Sequence, residues 1–167
     1  EELGVKPDDL VSWFLWAEDV GPDTQPRRTE TDMFFAEVRP FEEIYRRGDG
    51  AEGQGGQQGG GSEATKLAEL QKQIISATWN LKRSEDVNTG ATKPTPKYLE
   101  DEPVVRDSQG EALKQTQALV EKLEEPKMRS FAEAAAKEMQ SALDLLTKAA
   151  TTAEPLPEAL NAEQAAY

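Results

Sequence analysis

The sequence predicts a mainly α-helical fold with a small β part, and three observations carry that prediction. Two aromatic-rich runs within residues 1–47 have strand character, and a glycine- and glutamine-rich stretch follows at 48–62. From residue 63 onward, apolar side chains recur at intervals of three and four. The expected layout is a β-hairpin, a flexible linker, and then an antiparallel helical bundle or coiled coil.

The turn Pro7-Asp8-Asp9 leads into a predicted strand from Leu10 to Ala17. Alternation puts Val11, Trp13, Leu15 and Ala17 on one face and Phe14 with Trp16 on the other. "DVGPDTQPRRTET" carries Gly21, Pro22 and Pro26 and predicts a loop. A second strand is expected from Asp32 to Arg39, closed by Pro40. Its faces hold Phe34, Ala36 and Val38 on one side, and Met33, Phe35, Glu37 and Arg39 on the other. A two-stranded hairpin is marginal in water, so these strands call for more sheet than this chain supplies. "GDGAEGQGGQQGGG" has no apolar face and high backbone entropy, which predicts disorder.

The first helix is expected at 63–85, with Ser62 as its N-cap and Leu67, Leu70, Ile74, Ala77 and Leu81 as its stripe. "VNTGATKPTPKYLEDEP" predicts a proline-bearing connection. The second helix is placed at 108–125, opened by a Ser108/Glu111 capping box and carrying Leu113, Thr116, Val120 and Leu123. Pro126 suits the first turn of a third at 126–152, striped by Met128, Phe131, Ala135, Met139, Ala142 and Leu146. Pro155 and Pro157 end it and begin a fourth at 157–167. Leu67, Leu70, Ile74, Leu81, Leu113, Val120, Leu123, Phe131, Met139 and Leu146 are the expected helical packing and interaction residues. Trp79 sits one residue off the first stripe, where an aromatic widens the core face or meets a partner helix.

Composition narrows the chemistry. The apolar fraction is 37 %, against roughly 45–50 % in ordinary globular domains, so separate small packed parts fit better than one continuous core. The net charge of −13 disfavours nucleic acid and anionic membrane surfaces, because no stripe of Lys and Arg is available to neutralise phosphate. Cysteine and histidine are absent, which removes disulfides, thiolate nucleophiles, the usual zinc ligands and the commonest general base. No cofactor is implied, no catalytic residues are assigned, and the expected role is non-enzymatic.

Several short patterns bear on function. Glu18, Asp19 and Asp23 could offer hard oxygen ligands to calcium in a strand-end loop, making a calcium-dependent adhesion or binding module the alternative reading. Against it, the spacing is not that of an EF-hand, and Arg27 and Arg28 follow. Glu42-Glu43 and Glu100-Asp101-Glu102 read as solvated charge runs, since adjacent linker carboxylates do not face each other across a cleft. The glycine pattern at Gly53 neither follows a strand nor opens a helix, and Arg47-Gly48-Asp49 reads as a chance triplet.

Three stretches, "SWFLWAEDVGPD", "TDMFFAEVRPFE" and "ELQKQIISATWNL", together with the Gly/Gln linker, resemble a domain-of-unknown-function family of large bacterial envelope proteins. That family has transmembrane helices near its N-terminus, an Ig-like β segment and a long coiled-coil region. The resemblance implies that Leu10–Ala17 and Met33–Arg39 are the last strands of an Ig-like sandwich. Trp13 would then take the aromatic corner position, although Asp8-Asp9 stands where a Pro-Gly-Asp turn is usual. It further implies a periplasmic setting for a membrane-anchored protein, with no membrane insertion by this segment. MoxR-type ATPases and von Willebrand factor A-domain proteins are the implied associates. The expected function is a structural or protein-interaction segment of a larger protein. Its partner would be another protein or the remainder of its own chain.

Overall fold

A computed structural model of the chain describes residues 10–20, 26–38, 60–86 and 94–167. The fold is mainly α with a small antiparallel β part. Four short strands come first: β1 (Leu10–Trp13), β2 (Trp16–Val20), β3 (Pro26–Glu30) and β4 (Phe34–Glu37). Among the described residues four helices follow: α1 (Gly60–Asp86), α2 (Pro96–Lys122), α3 (Pro126–Ala149) and α4 (Leu156–Ala165). The predicted linker from Gly48 lies outside the described residues up to position 59, and Gly60–Ser62 belong to α1. The expected cap at Ser62 is therefore inside the first helical turn.

β1 pairs with β4 and β2 with β3, both antiparallel, so the β part is a single hairpin with an interruption. At the interruption Phe14 and Leu15 face Thr31, Asp32 and Met33, one residue more on the second arm, as in a β-bulge. The Leu15 N–H donates to Thr31 Oγ1 at 3.0 Å, and the Thr31 N–H donates to the Leu15 carbonyl at 2.9 Å. The predicted strand Leu10–Ala17 is thus divided in two. The stretch expected to be loop supplies β3, with Arg28 and Arg27 in register with Glu18 and Asp19 and the Arg28 guanidinium on Glu30 at 2.8 Å. Pro26 takes the first position of β3, a place where proline is tolerated.

The predicted face assignment holds across the inner ladder. Leu10, Phe14, Met33 and Phe35 pack against Ile75 and Trp79 of α1 and Leu160 of α4. Trp13 and Phe34, paired across the strands, stack on the opposite face with ring centroids 4.6 Å apart. Trp79 anchors the contact. Its ring lies 4.4 Å from that of Phe14, and its Nε1–H donates to the Thr31 carbonyl at 3.1 Å. Arg83 of α1 pairs with Asp32 at 2.8 Å, and Gln164 of α4 donates to Ser12 Oγ at 2.9 Å. Trp79 is therefore the side chain on which the hairpin is clamped to the helices.

The largest departure from expectation is α2, which starts at Pro96 instead of Ser108. The start signal lies upstream. Thr95 is the N-cap, accepting from the Tyr98 N–H at 3.2 Å, and Pro96 stands in the first turn, where its missing N–H costs nothing. The Glu85 carboxylate at the end of α1 accepts from both the Thr95 hydroxyl (2.6 Å) and its N–H (3.2 Å), joining the two helices at the turn. Ser108 is then mid-helix and donates to the Val104 carbonyl at 2.7 Å, so it caps nothing. Glu102 is another correction. It was expected in a solvated run, but the earlier start carries it to the inward stripe between Tyr98 and Val105, where it is buried beside Arg106 at 3.3 Å. Desolvation raises its pKa above the ordinary carboxylate value.

Pro103 lies inside α2 and cannot donate to the carbonyl four residues earlier. Packing of Tyr98 and Val105 holds the helix together across this gap. Pro103→Ala restores the missing donor and is expected to stabilise the fold by about 1–3 kcal/mol in urea denaturation. A loss of stability would mean that the helix is held by a proline-dependent bend.

The core runs along the bundle axis as Ile74, Leu81, Tyr98, Val105, Leu146 and Leu156, with Ala112, Ala149 and Ala159 allowing close helix approach. Leu113, Met139 and Ala166 form a neighbouring cluster. Of the ten predicted packing residues, Leu67, Ile74, Leu81, Leu113, Met139 and Leu146 are buried, while Leu70, Val120 and Leu123 are half-buried. Phe131 departs from this set and is 60 % exposed, together with Met128 on the same helix. The α3 stripe is continuous, yet only its C-terminal half meets α4 and the buried clusters.

Candidate interaction surfaces

The β1–β4 ladder is half-buried on the side that meets the helices and open on the other. The inner face meets Trp79, Arg83 and Gln164, which leaves the outer face turned to solvent. Trp13, Leu15, Trp16, Val20 and Phe34 are all exposed there or on the distal ribbon, and they make up most of the large exposed apolar side chains among the described residues. Trp16 is 57 % exposed, with the Arg28 guanidinium 4.8 Å above its ring. Scattered exposed apolar residues are ordinary, but aromatic side chains grouped on a short hairpin are the kind of patch that marks an interaction site. Within each ladder a strand has a single partner, so the far edges carry N–H and C=O groups unpaired by sheet.

A second open surface lies between the helices. It is a groove of about 640 Å³ at the end of the bundle away from the α3–α4 turn. Leu67 and Gln71 of α1, Leu119 and Leu123 near the end of α2, and Met128 and Phe131 of α3 line it. Ala166 and Tyr167 close one end. Lys122 reaches across to Glu63 at 3.1 Å on the rim, joining α2 to α1. This pair is well exposed and contributes little to stability.

Beneath the groove the core turns polar. Gln71 donates from Nε2 to Gln109 Oε1 at 3.3 Å and to the Glu163 carbonyl at 3.2 Å. Thr78 donates to Glu163 Oε1 at 2.8 Å, and Gln109 donates to the Met139 carbonyl at 3.5 Å. Gln71 Oε1 and Glu163 Oε2 find no hydrogen-bond partner among the described residues. The sequence did carry a signal for this cluster. Gln71 and Thr78 stand seven residues apart, as do Gln109 and Thr116, each pair on the inward stripe of its helix.

Glu163 is fully buried, and desolvation pushes its pKa up to about 8, with the Thr78 hydrogen bond pulling weakly the other way. The folded state therefore holds a proton that the unfolded chain releases near its ordinary pKa of 4.5. The stability that comes from this proton is fully present below about pH 4.5 and is lost as pH rises through about 8. The slope within that window is at most about 1.4 kcal/mol per pH unit. Glu163→Gln keeps the shape without the titration. Denaturation from pH 5 to 8 is expected to show the wild-type losing stability relative to this variant, and parallel curves would contradict the assignment.

Glu18 and Asp19 lie on β2, opposite Arg28 and Arg27, and Asp23 is outside the described residues. The two carboxylates are set across from cations, which offsets the charge a calcium ion would need. Among the described residues no group of three or more acidic side chains is placed to hold a metal. Glu42-Glu43, Arg47-Gly48-Asp49 and the Gly53 pattern also lie outside the described residues. No helix among the described residues is long and apolar enough to cross a membrane. Comparison with protein-family models, curated proteins and solved structures finds no match, so the two surfaces rest on their geometry alone.

Proposed function

We propose that this chain is a non-catalytic interaction segment of a larger, membrane-anchored bacterial envelope protein, and that the outer face of its hairpin is the contact surface. The observation that carries the reading is the grouping of Trp13, Leu15, Trp16 and Phe34 in solvent on a hairpin whose other face is locked to the bundle. A hairpin fixed in this way loses little further entropy on binding, which favours recognition through aromatic contacts and strand edges. The resemblance to Ig-like envelope proteins supplies the setting, because the last strands of a sandwich would present such a face to a facing sheet. Catalysis has no support from the polar cluster: its Thr78 hydroxyl and Glu163 carboxylate meet in the core, where both are fully buried.

The test is site-specific photo-crosslinking in the intact protein, with the reactive side chain placed at position 16 or 34. The reading predicts defined adducts from both positions, to the same protein or to a partner, which disappear when Trp13→Ser is added. Adducts limited to solvent from both positions would overturn it.

A further inference from the structure

Two pairs of consecutive residues tie the hairpin to the bundle core. On α1, Thr78 is fully buried, and Trp79 beside it holds the hairpin through the Phe14 ring and the Thr31 carbonyl. On α4, Glu163 is fully buried, and Gln164 beside it donates to Ser12 Oγ of β1. Thr78 donates to Glu163 Oε1 at 2.8 Å, so the buried members of the two pairs are bonded to each other. The seat of the hairpin is shared in the same way, with Ile75 and Trp79 from α1 and Leu160 from α4. Parting these two helices would divide the seat.

The carboxyl at this junction has neutral surroundings. α1 brings Thr78 to its side chain and Gln71 to its main-chain carbonyl, α2 adds Gln109 on Gln71, and α3 offers the Met139 carbonyl to Gln109. The cations of α1 on either side, Lys72, Lys82 and Arg83, are paired with Glu69, Asp86 and Asp32. Glu102, the other buried acid, has Arg106 at 3.3 Å, whereas the proton affinity of Glu163 is set by desolvation and the Thr78 bond, with no charged neighbour contributing. Gln71 Oε1 and Glu163 Oε2 are acceptors without donors in the same network. A proton on the carboxyl turns one of them into a donor and removes a charge from the core. Loss of the proton leaves an uncompensated carboxylate, which regains water when α4 parts from α1.

We propose that protonation of Glu163 closes α4 and the hairpin onto α1 as one unit, and that its ionisation loosens both together. The carboxyl is ionised above about pH 4.5 in the opened form and above about pH 8 in the closed form. Opening therefore releases a proton between those values. Its equilibrium constant rises by up to about tenfold per pH unit within the window and levels off above it. The inference concerns how the hairpin is held and needs no partner at its outer face. Its failure leaves the contact reading above untouched, and failure of that reading leaves the latch in place.

The test is amide hydrogen exchange by NMR on the full chain from about pH 6 to about pH 9, each rate being divided by the intrinsic rate at that pH. Amides of β1, β4 and α4, with the Trp79 indole N–H, are expected to share one opening, more frequent than the global unfolding that exposes α2 and α3. Its equilibrium constant is expected to rise up to about a hundredfold between about pH 6 and about pH 8. Glu163→Gln keeps the shape and is expected to flatten that rise. Thr78→Val removes the bond that favours the carboxylate, so the rise is expected to continue to higher pH, a shift that lost packing alone does not produce. Four results would overturn the proposal. They are a pH-independent opening of β1 and β4, a rise that persists in Glu163→Gln, an unmoved upper limit in Thr78→Val, and hairpin amides that open only together with α2 and α3.

Discussion

Trp79→Ala is expected to undock the hairpin and to cost about 3–5 kcal/mol of stability. The ring is 4 % exposed and lies between Phe14, Leu10, Met33 and Phe35 on one side and the Ile75 and Leu160 core on the other. Truncation empties that site, and β2 and the first four residues of β3 are exposed and bury no side chain in its place. Arg83–Asp32 and Gln164–Ser12 remain, but the Asp32 side is largely exposed and such pairs contribute little. Helical circular dichroism should therefore persist while amide exchange in β1 and β4 accelerates. Trp79→Phe keeps a ring against Phe14 but loses the bond to the Thr31 carbonyl and part of the packed volume, for about 1–3 kcal/mol. If β1 and β4 keep their protection in Trp79→Ala, the hairpin is held by something other than this anchor.

Tyr98→Ala is expected to have a comparable cost, about 3–5 kcal/mol, out of the ~5–15 kcal/mol that holds a typical domain. Tyr98 is fully buried in the first turn of α2, in the cluster that contains Leu146, Ala149 and Leu156. Its hydroxyl donates to the Ala149 carbonyl at 2.7 Å, with the Thr152 carbonyl also in reach at 3.2 Å. One side chain thus supplies core volume and satisfies the end of α3, where helical carbonyls lack partners. Burial raises the hydroxyl's pKa, so it stays a donor throughout the ordinary pH range. Tyr98→Phe separates the two roles and is expected to cost about 1–2 kcal/mol, measured by urea denaturation. A near-neutral Tyr98→Ala would mean that α2 does not begin at Pro96 in solution.

Much of the fold was legible because periodicity reports directly on burial. The α1 stripe of Leu67, Ile74 and Leu81 is buried as the spacing requires, and the Met33/Phe35 and Trp13/Phe34 faces separate as strand alternation requires. The errors came where a strong local signal was outweighed. Pro103 and the adjacent carboxylates argued against helix before Ser108, yet the Thr95 cap and burial of Tyr98 carry α2 through them. Pro26 and two arginines carry a loop signal, yet the backbone ladder with β2 takes in all of them.

The candidate surfaces were only partly visible. Trp79 stood out by its position beside the stripe, but that Phe14 would be its partner depends on a bulge with no obvious sequence mark. The spacing of Phe131 is that of a core residue, and spacing alone does not reveal that only the C-terminal half of the α3 stripe is covered. The Gln71–Gln109–Glu163 cluster needs three helices brought together before its polarity makes sense.

Amide hydrogen exchange in β1 and β4 tests the interaction reading most directly, when the isolated segment is compared with the intact protein. The N–H groups that point away from the shared ladder are the ones to follow. Engagement of the hairpin by a further sheet or partner predicts that they exchange freely in the segment and are protected at least about tenfold in the intact protein. Equal exchange in the two would contradict it, leaving the aromatic face of the hairpin a solvent-exposed surface.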